Sequence, residues 1–185
     1  MIGKKNVVFG FIFLVFTAAL GPLMVRMYTT IGEAMAEKQT TVGRLQQLQA
    51  SNFEEDLEAL SADKIAKANT AGILTLNKLV NNQFEIDLIK GGPHTHGNLE
   101  ALLNIIVGIA LCFIGVSARF KQLLSWMFIA GTLLHSGMLY LGRVLHLNWA
   151  ETVLNTGIGP VLILLGLLLM GVAAARGFDA RLVRD

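Results

Sequence analysis

Cysteine is nearly absent. The single residue, Cys112, lies inside an apolar run. That excludes a disulfide framework within one chain and any thiolate-built zinc or iron–sulfur site, so Cys112 reads as a small packing residue. Phosphate-cradling loops are missing too: neither GxxxxGK[ST] nor GxGxxG occurs, which leaves no sequence signature for a nucleotide. The net charge of +2 over 185 residues gives no electrostatic footprint for nucleic acid, and no nucleic-acid partner is expected.

Charge of either sign is scarce along four stretches, and there the chain is most informative. Hydrophobic residues make up 54% of it, a share that points to a membrane protein. Val7 to about Met27 carries no charge before Arg26, and about 20 such residues cross a hydrocarbon core. No clean small-x-small cleavage site closes this run, so it reads as an uncleaved first span. Gly21-Pro22 marks a bend near its far end. Further spans are expected over about Asn98–Val116, Leu123–Leu145 and Thr152–Ala175.

Residues 28–90 differ in kind. Charged residues such as Glu33, Glu37, Lys38, Arg44 and Glu54 alternate with apolar ones at helical spacing, for example Val42, Leu45 and Leu48. Amphipathic helices give this pattern, with Ser61 as an N-cap. Phe84 to Ile89 alternates and suggests a short strand. The expected fold is an all-α integral membrane protein, a four-transmembrane-helix bundle with an extracytoplasmic helical insert. The divisions are 1–27 for the first span, 28–90 for the insert, 91–176 for spans two to four and 177–185 for a tail.

Basic residues set the orientation. Lys4, Lys5, Arg119, Lys121, Arg176, Arg181 and Arg184 fall on one side of a four-span chain, and positive short loops stay cytoplasmic. Both termini are therefore expected in the cytoplasm of a cell whose inner (plasma) membrane holds the protein as a multi-pass chain. The insert and all four histidines then belong to the outer half or beyond. Trp126 and Trp149 suit the two interfaces.

The stretch Gly91–Gly115 is the centre of this reading. His94 and His96 precede an apolar run that Asn98, Glu100 and Asn104 enter, and an ionisable residue there is a functional-site hypothesis. Gly97, Glu100, Asn104, Gly108 and Cys112 form one stripe, the look of an interhelical face. On span three, His135 and His146 are eleven apart and share a face, with Ser136, Tyr140 and Arg143 beside them. Neutral imidazoles suit haem iron, copper or zinc. His94 and His96, two apart, fit ligation from a loop better than from one helix, and Glu100 fits a tautomer-fixing or proton-relay role.

At these residues the chain resembles the styrene oxide isomerase family of small four-span membrane proteins. The resemblance covers the four spans and not residues 28–90. It implies a homotrimer that binds haem b near subunit interfaces, with a histidine before span two as axial ligand and iron acting as a Lewis acid on an epoxide oxygen. His94 takes the ligand position if loop lengths are kept, and Tyr140 matches the family's tyrosine within one residue. Ser136 and Glu100 stand where that family has asparagines. With His96 as ligand instead, Asn104 lies eight residues on.

The expectation is thus a haem b protein of the lipid bilayer, homo-oligomeric, with His94 or His96 ligating and Glu100, Asn104, Ser136 and Tyr140 around the distal side. Its partner would be a small apolar oxygenated substrate or, with His96 and His135 both ligating, a redox partner. Two other readings stay open: a cofactor-free structural or assembly subunit of a larger membrane complex, and copper or zinc at the His94/His96 pair.

Overall fold

A computed structural model describes residues 1–183. Arg184, one of the basic residues assigned to the tail, lies outside the described residues. The helices are α1 (Lys4–Ala18), α2 (Leu20–Ala50), α3 (Ala62–Ile89), α4 (Thr95–Ala110), α5 (Ala118–Thr132), α6 (Met138–Arg143), α7 (Asn148–Leu154) and α8 (Ile158–Gly177). The chain divides into two compact units, one of residues 1–21 and 88–185, the other of residues 22–87. Four helical runs among the described residues are long and apolar enough to cross a membrane: Lys4–Ala50, Ala62–Phe113, Ala118–Arg143 and Ile158–Gly177.

In the first unit, small residues decide which helices touch. Gly3, Gly10 and Thr17 recur every seven residues along α1 and face Gly108, Ala101 and Gly97 of α4, so the two helices run antiparallel. A seven-residue repeat keeps one seam in contact over two turns, and small side chains let backbones approach closely. A Cβ on Gly10 would sit 2.6 Å from the Ala101 carbonyl oxygen, and one on Gly108 would sit 2.6 Å from that of Gly3. Gly131 and Gly159 do the same between α5 and α8: a Cβ on Gly159 would lie 2.6 Å from the His135 amide nitrogen.

One end of this bundle is filled by Val107, Leu111, Ile114, Leu124, Phe128 and Ala173. Alongside lies a buried polar layer. Asn6 donates from Nδ2 to Asn104 Oδ1 and to the Ser125 carbonyl, each at 3.0 Å, and accepts at Oδ1 from the Ser125 hydroxyl. Asn104 in turn donates to the Glu100 carbonyl at 3.0 Å and to Thr132 Oγ1 at 2.9 Å. Both amides are satisfied, as buried polar groups must be. The exterior is apolar, with Phe11, Ile12, Val15 and Phe16 on α1 and Leu164, Leu165 and Leu168 on α8 exposed.

Several expected boundaries move. The break in the first helical run falls at Ala19, between α1 and α2, and not at Gly21-Pro22. Pro22 supplies no N–H for the Ala18 carbonyl and its ring crowds that oxygen, so the helix yields one turn upstream of the proline. Phe84–Ile89 is helix, part of α3, because no strand is there to pair with its alternating pattern. The Gly91-Gly92-Pro93 segment kinks the chain between α3 and α4: Gly92 leaves helical angles (φ −93, ψ −108), and helical geometry is in place again at His94 and Thr95. Pro93 stands directly after the kink, where a helix is only starting and its missing N–H costs little.

The second unit is a pair of antiparallel helices, α2 and α3. Ser61 caps α3 by accepting from the Lys64 amide at 3.4 Å. The Thr41 and Thr75 hydroxyls meet at 2.7 Å, and Lys78 pairs with Glu37 at 2.7 Å. That hydrogen bond, with the Glu37 charge, holds the Lys78 ammonium above the ordinary lysine value. Two short antiparallel strands, Glu54–Glu55 and Glu58–Ala59, close the far end.

The polar layer gives a direct test. Asn104→Leu leaves the Asn6 and Thr132 side chains short of partners, and an unmet buried polar group costs roughly 1–3 kcal/mol. The variant is expected to lose about 2–4 kcal/mol of unfolding free energy in lipid or detergent, whereas Leu165→Ala on the exposed face should stay within about 1 kcal/mol of the parent. Equal losses in the two variants contradict the account.

Candidate metal centre

His96 and Glu100 are four residues apart on α4, hence stacked on one face. His135 comes from a π-helical turn, Leu133–Gly137, between α5 and α6. Such turns shift the register of the side chains that follow, and they frequently mark functional sites. Gly159 lets α8 press on the backbone of Leu134 and His135, so the π turn is braced from behind.

The three side chains converge. Glu100 Oε1 lies 2.5 Å from His135 Nδ1, and the imidazoles of His96 and His135 meet edge-on with centroids 5.0 Å apart and planes at 64°. One ligand atom from each of the three residues lies within 4.8 Å of the other two. Burial is graded: Glu100 is buried, His135 half-buried and His96 exposed. Only 5% of Glu100 is accessible, and its Oε2 has no hydrogen-bond partner among the described residues. A buried carboxylate with one oxygen unmet is costly.

The pair His94 and His96 does not converge. Both residues are helical, not loop, and two residues at 3.6 per turn point about 200° apart. His94 faces α1: its Nδ1 bonds the Thr17 carbonyl at 3.0 Å and lies 3.4 Å from the Asn98 amide, while Thr17 donates to Asn98 Oδ1 at 2.8 Å. His94 thus ties α4 to the end of α1, and His96 joins the cluster.

The remaining expected residues are distributed around it. Asn104, one turn below Glu100, belongs to the polar layer and holds Glu100 through its backbone carbonyl. Ser136 follows His135 and is fully buried, its hydroxyl without a partner among the described residues. Tyr140 is half-buried on α6. His146 does not share a helical face with His135, because α6 ends at Arg143 and His146 adopts positive φ (54°) in the exposed connection. Arg143 instead pairs with Glu151 at 2.7 Å, and Gly142 leaves room for that carboxylate.

Asn6, Thr17, Ser125 and Thr132 were not singled out from the sequence, yet all four are buried and bonded around the cluster's supports. The available signal was spacing: Ser125, Thr132 and Ser136 follow one helical stripe, and Asn6 and Thr17 are eleven apart on α1. No family model, no curated protein and no solved structure matches this chain.

The Glu100–His135 contact makes a stability prediction. His135→Phe removes the donor and leaves a buried carboxylate alone, which costs about 3–5 kcal/mol. Adding Glu100→Gln to that variant is expected to recover at least about 1 kcal/mol, because a neutral amide is cheaper to bury. Measured by a double-mutant cycle of unfolding in the apo protein, purely additive losses would contradict the pairing.

Proposed function

We propose that this chain is an integral membrane protein that binds one divalent first-row transition metal ion through His96, Glu100 and His135. The observation that carries this is the convergence of two imidazoles on a buried carboxylate that has an unmet oxygen. Two nitrogens and one carboxylate oxygen form a donor set for zinc or iron(II) with at least one coordination position left open. Ligand atoms about 2.1 Å from a tetrahedral ion stand about 3.4 Å apart. Glu100 Oε1 and His135 Nδ1, 2.5 Å apart, must therefore open by about an ångström, while His96, within 4.8 Å of both, closes in by a rotamer-scale movement.

Membrane insertion is supported by the four long apolar helices and by the apolar exterior of the bundle. With the basic residues inside, both termini face the cytoplasm, residues 28–90 lie outside, and the triad sits in the outer half of the bilayer. The open position would take a small oxygen or nitrogen donor, as substrate or as inhibitor.

A second reading, haem b on His94, is favoured by one observation beyond the family resemblance. His94 Nδ1 bonds a backbone carbonyl, the arrangement that fixes a histidine's tautomer and leaves Nε2 for a metal. Ligation of one haem by both His96 and His135 is disfavoured, since rings in edge contact at 5.0 Å leave no slot for a porphyrin.

Metal titration of purified protein separates the readings. Wild type is expected to take up one equivalent of zinc or cobalt(II), with affinity falling at least about tenfold in His96→Ala, Glu100→Ala and His135→Ala and staying near wild type in His94→Ala. A Soret band lost only in His94→Ala would favour the haem reading instead. Neither metal nor haem in wild type would reject both and leave a cofactor-free assembly subunit.

A further inference from the structure

The second unit carries a cavity of about 480 Å³ between α2 and α3 near the end closed by the two short strands, lined on α2 by Thr40, Thr41, Arg44 and Leu48. Its other wall includes Leu60, Lys64, Lys67, Ala68 and Ala71, with Glu55 from the first strand. We propose that this cavity binds an amphiphilic organic carboxylate, its apolar body on Leu48, Leu60, Ala68 and Ala71 and its anionic head among Arg44, Lys64 and Lys67.

The cavity follows from the sequence. At Gly72 the helices are in contact, because a Cβ there would lie 2.5 Å from Leu45 Cδ1, and Thr41 and Thr75 clasp beside it. One turn nearer the strands, α3 offers only Ala68 and Ala71 where bulkier side chains would meet Leu48. Alanines on α3 facing Leu48 of α2, with Leu60 at the strand end, leave an apolar gap of a size that suits a small ligand. Three cations against one carboxylate give the rim a positive balance. Their present partners are weak: Arg44 stands 3.7 Å from Glu55, and the Lys67–Asp63 pair at 2.8 Å is exposed on both sides. Exposed pairs of this kind contribute little, so an incoming carboxylate displaces them readily.

The segment that closes the cavity is strained. Asn52, Phe53, Asp56 and Leu57 all have positive φ, and Leu57, at φ 65, is 97% exposed. A two-residue hairpin turn wants glycine or asparagine at such positions, and a leucine held there without burial gains nothing in return. Strained backbone persists where the surroundings demand it and clusters at ligand clamps. Glu55 and Leu60, either side of that turn, both face the cavity.

The test uses the full chain in lipid nanodiscs, with 2-naphthoate as the probe, 2-naphthamide as its uncharged counterpart and empty nanodiscs as the partition control. Saturable naphthoate binding by wild type is expected, weakened at least about tenfold by Arg44→Gln and by Ala68→Leu, which fills the gap with a good helix former. Naphthamide should bind at least about tenfold more weakly than naphthoate. Helicity measured on both variants confirms that they fold. No saturable binding by wild type, or unchanged binding in folded Ala68→Leu, overturns the site. Equal affinity for the amide overturns its anionic class.

Discussion

A carboxylate buried in an apolar bundle is the constraint from which the first unit is best understood. Glu100 keeps 5% of its surface exposed, so little water solvates its charge and the protein must do it instead. Much of the nearby architecture serves that requirement. His135 reaches it because α5 loosens into a π turn, and the turn is held because Gly159 admits α8 against its backbone. Asn104 fixes the Glu100 backbone from one turn away, Asn6 and Thr132 fix Asn104, and Ser125 fixes Asn6. Around the triad, Glu100 Oε2 and the Ser136 hydroxyl beside His135 have no partner among the described residues.

That contrast bears on function. The amides of Asn6 and Asn104 are satisfied, whereas Glu100 Oε2 has no partner among the described residues, and the proposed metal would supply one. The graded exposure of the triad, from buried Glu100 to exposed His96, leaves the proposed centre open on the His96 side. The seven-residue run of small residues on α1 belongs to the same design. It brings α1 close enough for Asn6 to reach both Asn104 and Ser125, two residues on different helices.

Much of this was legible in the chain. The apolar runs gave the four long helices, and the stripe Gly97, Glu100, Asn104, Gly108 was rightly read as an interhelical face. What the sequence hid was rotation. His94 and His96 look like a pair when the loop of Gly91-Gly92-Pro93 is taken to reach them, but the kink is confined to Gly92 and helical geometry from His94 onward sends the two rings to opposite sides. His96 meets His135 and Glu100 instead, a grouping that depends on a π turn which no local signal announces. The alternating FEIDLI segment misled for a related reason: alternation means a strand only where another strand is present, and here α3 already packs against α2. The Asn6–Ser125 contact joins residues 119 apart, and periodicity along one helix carries no information about such partners.

X-ray absorption at the metal edge of the zinc- or cobalt-loaded protein tests the central claim most directly. The account predicts a first shell of two imidazole nitrogens, one carboxylate oxygen and an exogenous oxygen or nitrogen, and loss of one imidazole scattering path in His96→Ala. A shell without imidazole, or one unaltered by that substitution, would contradict it.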